Sequence, residues 1–96
     1  MHPPKVVLVS TNGYLPSRDD ALLQELVDSR IELFCAVGRD ATQWEDALDW
    51  LCISPSGEDK HFIITTAHTD ETVEEVIAFA EQFSTSTAGQ VEVLYV

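Results

Sequence analysis

Positive charge is what this sequence has least of. Five Lys and Arg stand against 17 Asp and Glu, a formal net charge of −12 over 96 residues. A field of that sign repels nucleic acid and anionic membranes and draws basic partners. Neither a nucleic-acid partner nor a membrane partner is therefore expected. Cysteine is scarce too: Cys35 and Cys52 are the only two. They form no C-x-x-C pair and have no histidine at metal spacing, so the expectation is two buried free thiols acting as small apolar groups. No apolar run approaches the ~20 residues of a membrane span. The start, Met1-His2-Pro3-Pro4-Lys5, has no signal-peptide pattern, because the apolar run after Lys5 is short and gives way to polar residues. The expected compartment is the cytoplasm.

Chemical signatures are missing as well. There is no G-x-G-x-x-G, no G-K-[ST] and no G-x-S-x-G. His2, His61 and His68 are scattered, and the carboxylates fall on helix faces rather than in a ligand loop, so no metal and no cofactor are expected. The expectation is a protein that is not an enzyme.

What is present is a regular alternation. The hydrophobic fraction of 45% belongs to a folded chain, and the length to one domain spanning residues 1–96. Residues 5–10, K-V-V-L-V-S, are apolar on both faces, as a strand between two helical layers must be. A polar turn follows, with Ser17 as the expected N-cap and Asp20 three residues on, and then a helix over 18–29 with Leu22, Leu23, Leu26 and Val27 on one face. The second strand is expected over 31–37, ended by Gly38. The second helix, capped by Asp40, covers 41–52 with the stripe Trp44, Ala47, Leu48 and Leu51. Residues 54–60 read as a turn-rich linker, 61–66 as the third strand, and 71–83 as the third helix, capped by Thr69 or Asp70. The third helix has the stripe Val73, Val76, Ile77, Ala80 and Phe83. Residues 84–90 form a polar loop and 91–96 the last strand.

Strands alternating with helices imply parallel pairing and right-handed crossovers. The fold class is α/β: a small three-layer sandwich, βαβαβαβ, around a four-stranded, mostly parallel sheet of flavodoxin- or Rossmann-like type. Glu32 and Glu92 mark the second and fourth strands as edges, which favours the order 2-1-3-4, with 3-2-1-4 the alternative. Three helices cover two faces unequally, so the one-helix face is expected to keep exposed apolar surface. The sheet order is shared with receiver domains, but the resemblance fails at the residues that matter. Ser10 and Thr11 stand where an acidic pair would be, and Thr66 where the phosphorylated aspartate would be.

Two sets of residues are candidates for function. The first lies on the outward faces of the second and third helices: Glu45, Asp46, Asp49, Glu74 and Glu75, with Trp50 and Phe79 at the flanks of their apolar stripes. Aromatic anchors ringed by carboxylates suit a basic protein partner. The second lies at the carboxyl ends of the strands, where open parallel sheets bind small ligands: Ser10, Thr11, Asn12, Arg39 and His68. Asp19 and Asp20 at the following helix start weigh against a phosphate there. The favoured reading is an acidic protein-binding module, most concretely an immunity- or antitoxin-type inhibitor that neutralises a basic partner such as a nuclease toxin in a bacterial cytoplasm. A small-ligand or nucleotide-binding domain is the alternative, and a homodimeric structural domain the third reading.

Overall fold

Every side chain from Lys5 to Ser10 is buried, which places this strand, β1 (Lys5–Ser10), inside the sheet. The computed structural model describes residues 3–52, 63–83 and 90–96. In it, β1 is followed by α1 (Pro16–Asp28), β2 (Leu33–Gly38), α2 (Ala41–Cys52), β3 (Ile64–His68), α3 (Val73–Gln82) and β4 (Val91–Tyr95). All pairings are parallel, and the sheet order is β3-β2-β1-β4. The chain is thus a small α/β sandwich with an all-parallel sheet.

The favoured order 2-1-3-4 is corrected to 3-2-1-4. The second central strand is β2, not β3. Glu32, which marked β2 as an edge, precedes the strand, and Leu33, Phe34, Cys35, Ala36 and Val37 are all buried. β3 carries Thr65 and Thr66 and is only partly buried, as befits an edge. The linker and polar-loop assignments at 54–60 and 84–89 fall outside the described residues, as do His61 and Phe62 of the expected third strand.

Side chains alternate between two cores. Val6, Leu8, Phe34 and Ala36 pack against Leu23 and Leu26 of α1 and Trp44 and Leu48 of α2. Val7, Val9, Leu33, Cys35 and Val37 pack against Val76 and Ala80 of α3. Among the described residues two helices therefore cover one face and α3 covers the other. The α3 face keeps exposed apolar groups: Phe79 on the helix, and Ile64 and Tyr95, whose register partners Leu33 and Val9 belong to the α3 core.

Helix starts differ from the expected ones for identifiable reasons. α1 begins at Pro16, with Leu15, not Ser17, as N-cap. Proline suits the first helical position because its missing N–H has no partner there anyway. Asp19, not Asp20, does the capping, accepting from the Leu15 N–H at 2.9 Å. α3 begins two residues later than expected because Thr72 and Glu75 form a full capping box. Thr69 and Asp70 precede it.

Candidate functional site

Near the carboxyl ends of β1 and β2 stands Trp44. It is fully buried, and its indole Nε1–H donates to Ser10 Oγ at 3.0 Å. Tyr14 packs edge-on against it, with ring centroids 5.0 Å apart. The Tyr14 hydroxyl donates to Asp20 Oδ1, and its backbone N–H donates to Asp40 Oδ2 at 3.0 Å. Asp40 stands immediately before α2, its carbonyl accepting the Trp44 N–H at 2.9 Å as an N-cap's does, and its carboxylate also holds the loop after β1. Arg18 closes the same loop, donating to the Gly13 carbonyl at 2.6 Å and gripping Asp19 through Nε and an amino group. That guanidinium holds the Asp19 carboxyl below its usual range, against the opposing effect of burial.

These contacts fix the wall of a groove between α1 and α2 of about 560 Å³. Apolar Tyr14, Pro16, Ala47, Trp50 and Leu51 line it, together with the carboxylates of Asp20 and Asp46. Trp50 is 73% exposed, the most exposed large apolar side chain among the described residues. Burial, then the hydrogen bond to Asp20 and the negative charge of Asp20 and Asp19, push the Tyr14 phenol up to about 12. Its unfolded value is about 10. Because the folded value is the higher one, this contribution to stability is complete below pH ~10 and is lost as pH rises towards 12. Ultraviolet titration of the phenols should show one late-titrating tyrosine that disappears in Tyr14→Phe. An unchanged titration curve in that variant would contradict the assignment.

The seven residues expected to meet a protein partner fall on opposite layers. Glu45, Asp46, Asp49 and Trp50 lie on α2, and Glu74, Glu75 and Phe79 on α3. On α2 they divide again. Asp46 and Trp50 line the groove towards α1. Asp49 instead turns to the edge strand, accepting from Thr65 Oγ1 at 2.9 Å. Glu45 lies beside the same threonine, and burial, then Asp49 and Asp46, raise its pKa. On α3, Phe79 packs on His68 and Phe83 with ring centroids 5.5 and 5.8 Å away.

The residues expected to hold a small ligand are dispersed as well. Ser10 is buried beneath Trp44, and Thr11 donates through both its N–H and its hydroxyl to the Val96 carbonyl at 2.8 Å. In the observed order, the succession of strands across the sheet reverses between β1 and β4, and this Thr11–Val96 link ties the two parallel strands at that point. Asn12 and Arg39 are exposed. His68 is two strands from β1 and pairs with Val37, so it faces the α3 core. There its Nδ1 meets Glu71 Oε1 at 2.5 Å and its Nε2 meets Thr66 Oγ1 at 2.8 Å. A carboxylate only accepts, so Nδ1–H donates to it; Nε2 accepts the Thr66 hydroxyl when the ring is neutral and donates to it when the ring is protonated. This chain of bonds ties the end of β3 to the turn before α3. Beside it, burial raises the Cys35 thiol pKa, and Cys35 is free. The side chain of Cys52 lies outside the described residues.

Among the described residues no group of acidic, His and Cys side chains is placed to hold a metal ion, and no helix is long and apolar enough to cross a membrane. One protein family matches the chain, over residues 1–96. The chain belongs to the DUF7684 family, a domain of unknown function. No curated protein and no solved structure matches it. The DUF7684 name carries no activity, so the groove and the charges around it are the guide to function.

The spacing of α2 held a signal for this groove. Gln43, Asp46, Ala47, Trp50 and Leu51 recur at i, i+3, i+4, i+7 and i+8, the period of one continuous helix face. Tyr14, Pro16 and Asp20 come from the other side of the groove and carry no sequence mark linking them to that face.

Proposed function

We propose that this DUF7684 chain is a non-enzymatic acidic binding module that captures a basic protein partner through the α1/α2 face. The observation that carries this reading is the exposed Trp50 beside Asp46 over an apolar groove. A tryptophan left 73% exposed gains little for the fold, whereas aromatic side chains are the commonest anchors of interfaces. The charges of α2 support it. Glu45, Asp46 and Asp49 sit beyond the first turn, and the last turn holds no basic residue. Glu45 and Asp49 are four residues apart, a like-charge spacing that costs a helix a few tenths of a kcal/mol. Negative charge near a helix carboxyl end adds to that cost. A basic partner would relieve both. The most concrete form of the proposal is an immunity- or antitoxin-type inhibitor in a bacterial cytoplasm. Its carboxylates would pair with the Lys and Arg that a nuclease toxin otherwise uses to hold phosphate.

Capture from native cells tests it. Wild-type bait should retain a basic protein in stoichiometric amount at low salt and lose it at high salt. The double variant Asp46→Lys, Asp49→Lys should retain far less at low salt, while Glu74→Lys, Glu75→Lys on the opposite layer should bind as wild type does. An empty wild-type bait at low salt would contradict the proposal, as would a partner retained by the α2 variant in the wild-type amount.

Pairing of two copies through the α3 face is the competing reading, favoured by the exposed Ile64, Phe79 and Tyr95. Glu74 and Glu75 in the first turn of α3 oppose it, since a second copy brings the same charges. A monomer mass in light scattering at physiological salt separates the two.

A further inference from the structure

The α1/α2 groove has features that general acidity does not require. It joins an exposed indole to two carboxylates contributed by different helices, Asp20 from α1 and Asp46 from α2. Asp46 is exposed. Asp20 accepts the Tyr14 hydroxyl through Oδ1 alone, which leaves a carboxylate with acceptor capacity to spare. Trp50 and Leu51 belong to the last turn of α2, at the negative end of the helix dipole. An anion is repelled here, and a neutral apolar ligand would desolvate the carboxylates with nothing in return.

We propose that this groove seats an arginine side chain of the basic partner, its guanidinium stacked on Trp50 and hydrogen-bonded to Asp46, its aliphatic stem against Tyr14 and Leu51. Arginine fits for reasons that lysine does not share. Its planar cation stacks on an indole face, is more weakly hydrated than an ammonium, and matches a carboxylate through two parallel donors. The volume of about 560 Å³ lies within the roughly 300–1,000 Å³ of ordinary ligand clefts, ample for one such side chain. The inference rests on the binding-module reading above and deepens it.

The test uses two fluorescently labelled decapeptides of identical apolar sequence and equal charge, one with arginine and one with lysine at every basic position. Binding is followed by anisotropy at low and physiological salt. The arginine peptide should bind about tenfold more tightly. Trp50→Ala and Asp46→Asn should each abolish that preference, and Glu74→Gln on the opposite layer should preserve it. Thermal unfolding of Trp50→Ala should match wild type, because the side chain is mostly exposed. Equal affinity for both peptides, or a preference that survives Trp50→Ala, overturns the arginine site while salt-sensitive binding of both leaves the acidic-module reading standing. Binding of neither peptide also overturns the arginine site, and the capture experiment then decides the broader reading by itself.

Discussion

Trp44→Ala should cost the largest share of this protein's stability of any single truncation. Trp44 heads the fully buried side chains by volume, and it joins α2 to the core that β1, β2 and α1 share. Truncation of a buried tryptophan to alanine costs ~3–5 kcal/mol in transfer and cavity terms. It also strands the buried Ser10 hydroxyl, which is 3% exposed and accepts the indole N–H, and removes the ring against which Tyr14 packs. Domains of this size hold only ~5–15 kcal/mol in total, so about a fifth or more of the stability goes. Urea unfolding should show a midpoint lowered by roughly 2 M, taking an m-value of ~2 kcal/mol/M. Trp44→Phe isolates the polar part. It keeps most of the ring but loses the donor, which should cost ~1–2 kcal/mol beyond the lost area. Ser10→Ala in the Trp44→Phe background should then add little, because the bond is already gone. Additive losses in that cycle would show that the indole–hydroxyl bond contributes nothing.

Gly38→Ala should be nearly as damaging, through the backbone. Gly38 has φ of +100°, a conformation that L-residues rarely adopt. A Cβ placed there would fall well inside contact distance of the Ser10 carbonyl oxygen. That carbonyl accepts the Arg39 N–H at 2.9 Å, the bond that turns the chain from β2 towards α2. The obstacle is backbone in a central strand, so relief requires β1 and β2 to part. Strained φ costs ~1–3 kcal/mol and overpacking a similar amount, giving an expected loss of about 3 kcal/mol or more. A midpoint in urea within ~0.3 M of wild type would mean that the turn after β2 is slack, and the close approach of β1 and Gly38 would lose its structural importance.

Both effects arise where β1 and β2 end, and the sequence made only part of that region legible. β1 was readable in full, since an apolar run on both faces has few other uses, and its bounds at Lys5 and Ser10 are the observed ones. The alternation of elements and the helix stripes were equally plain. Leu23, Leu26, Trp44, Leu48, Val76 and Ala80 are the buried members of those stripes. Strand order was harder, because one glutamate carries little weight. Glu32 lies just outside β2, and its carbonyl accepts the Ile64 N–H at 3.0 Å, which starts the pairing with β3. Helix starts shifted wherever two caps competed within a few residues, as Ser17 did with Asp19 and Thr69 with Thr72.

The candidate site was legible from one side. Trp50 and Asp46 stood out as a flanking aromatic and an outward carboxylate on the same helix. Tyr14 and Asp20 did not, since their role depends on how α1 lies against α2 and on the bond from the Tyr14 N–H to Asp40 across 26 positions of chain. Contacts of that range have no local pattern. The same limit scattered the strand-end residues: Ser10 and His68 share an end of the sheet but face opposite cores.

The most direct test of the account is the association rate of the captured basic partner, measured against ionic strength for wild type and for Asp46→Lys, Asp49→Lys. If the acidic α2 face meets the partner, the wild-type rate should be at least about tenfold faster at low salt, and the two rates should converge as salt screens the field. Equal rates at low salt would place the partner elsewhere and contradict the role assigned to this face.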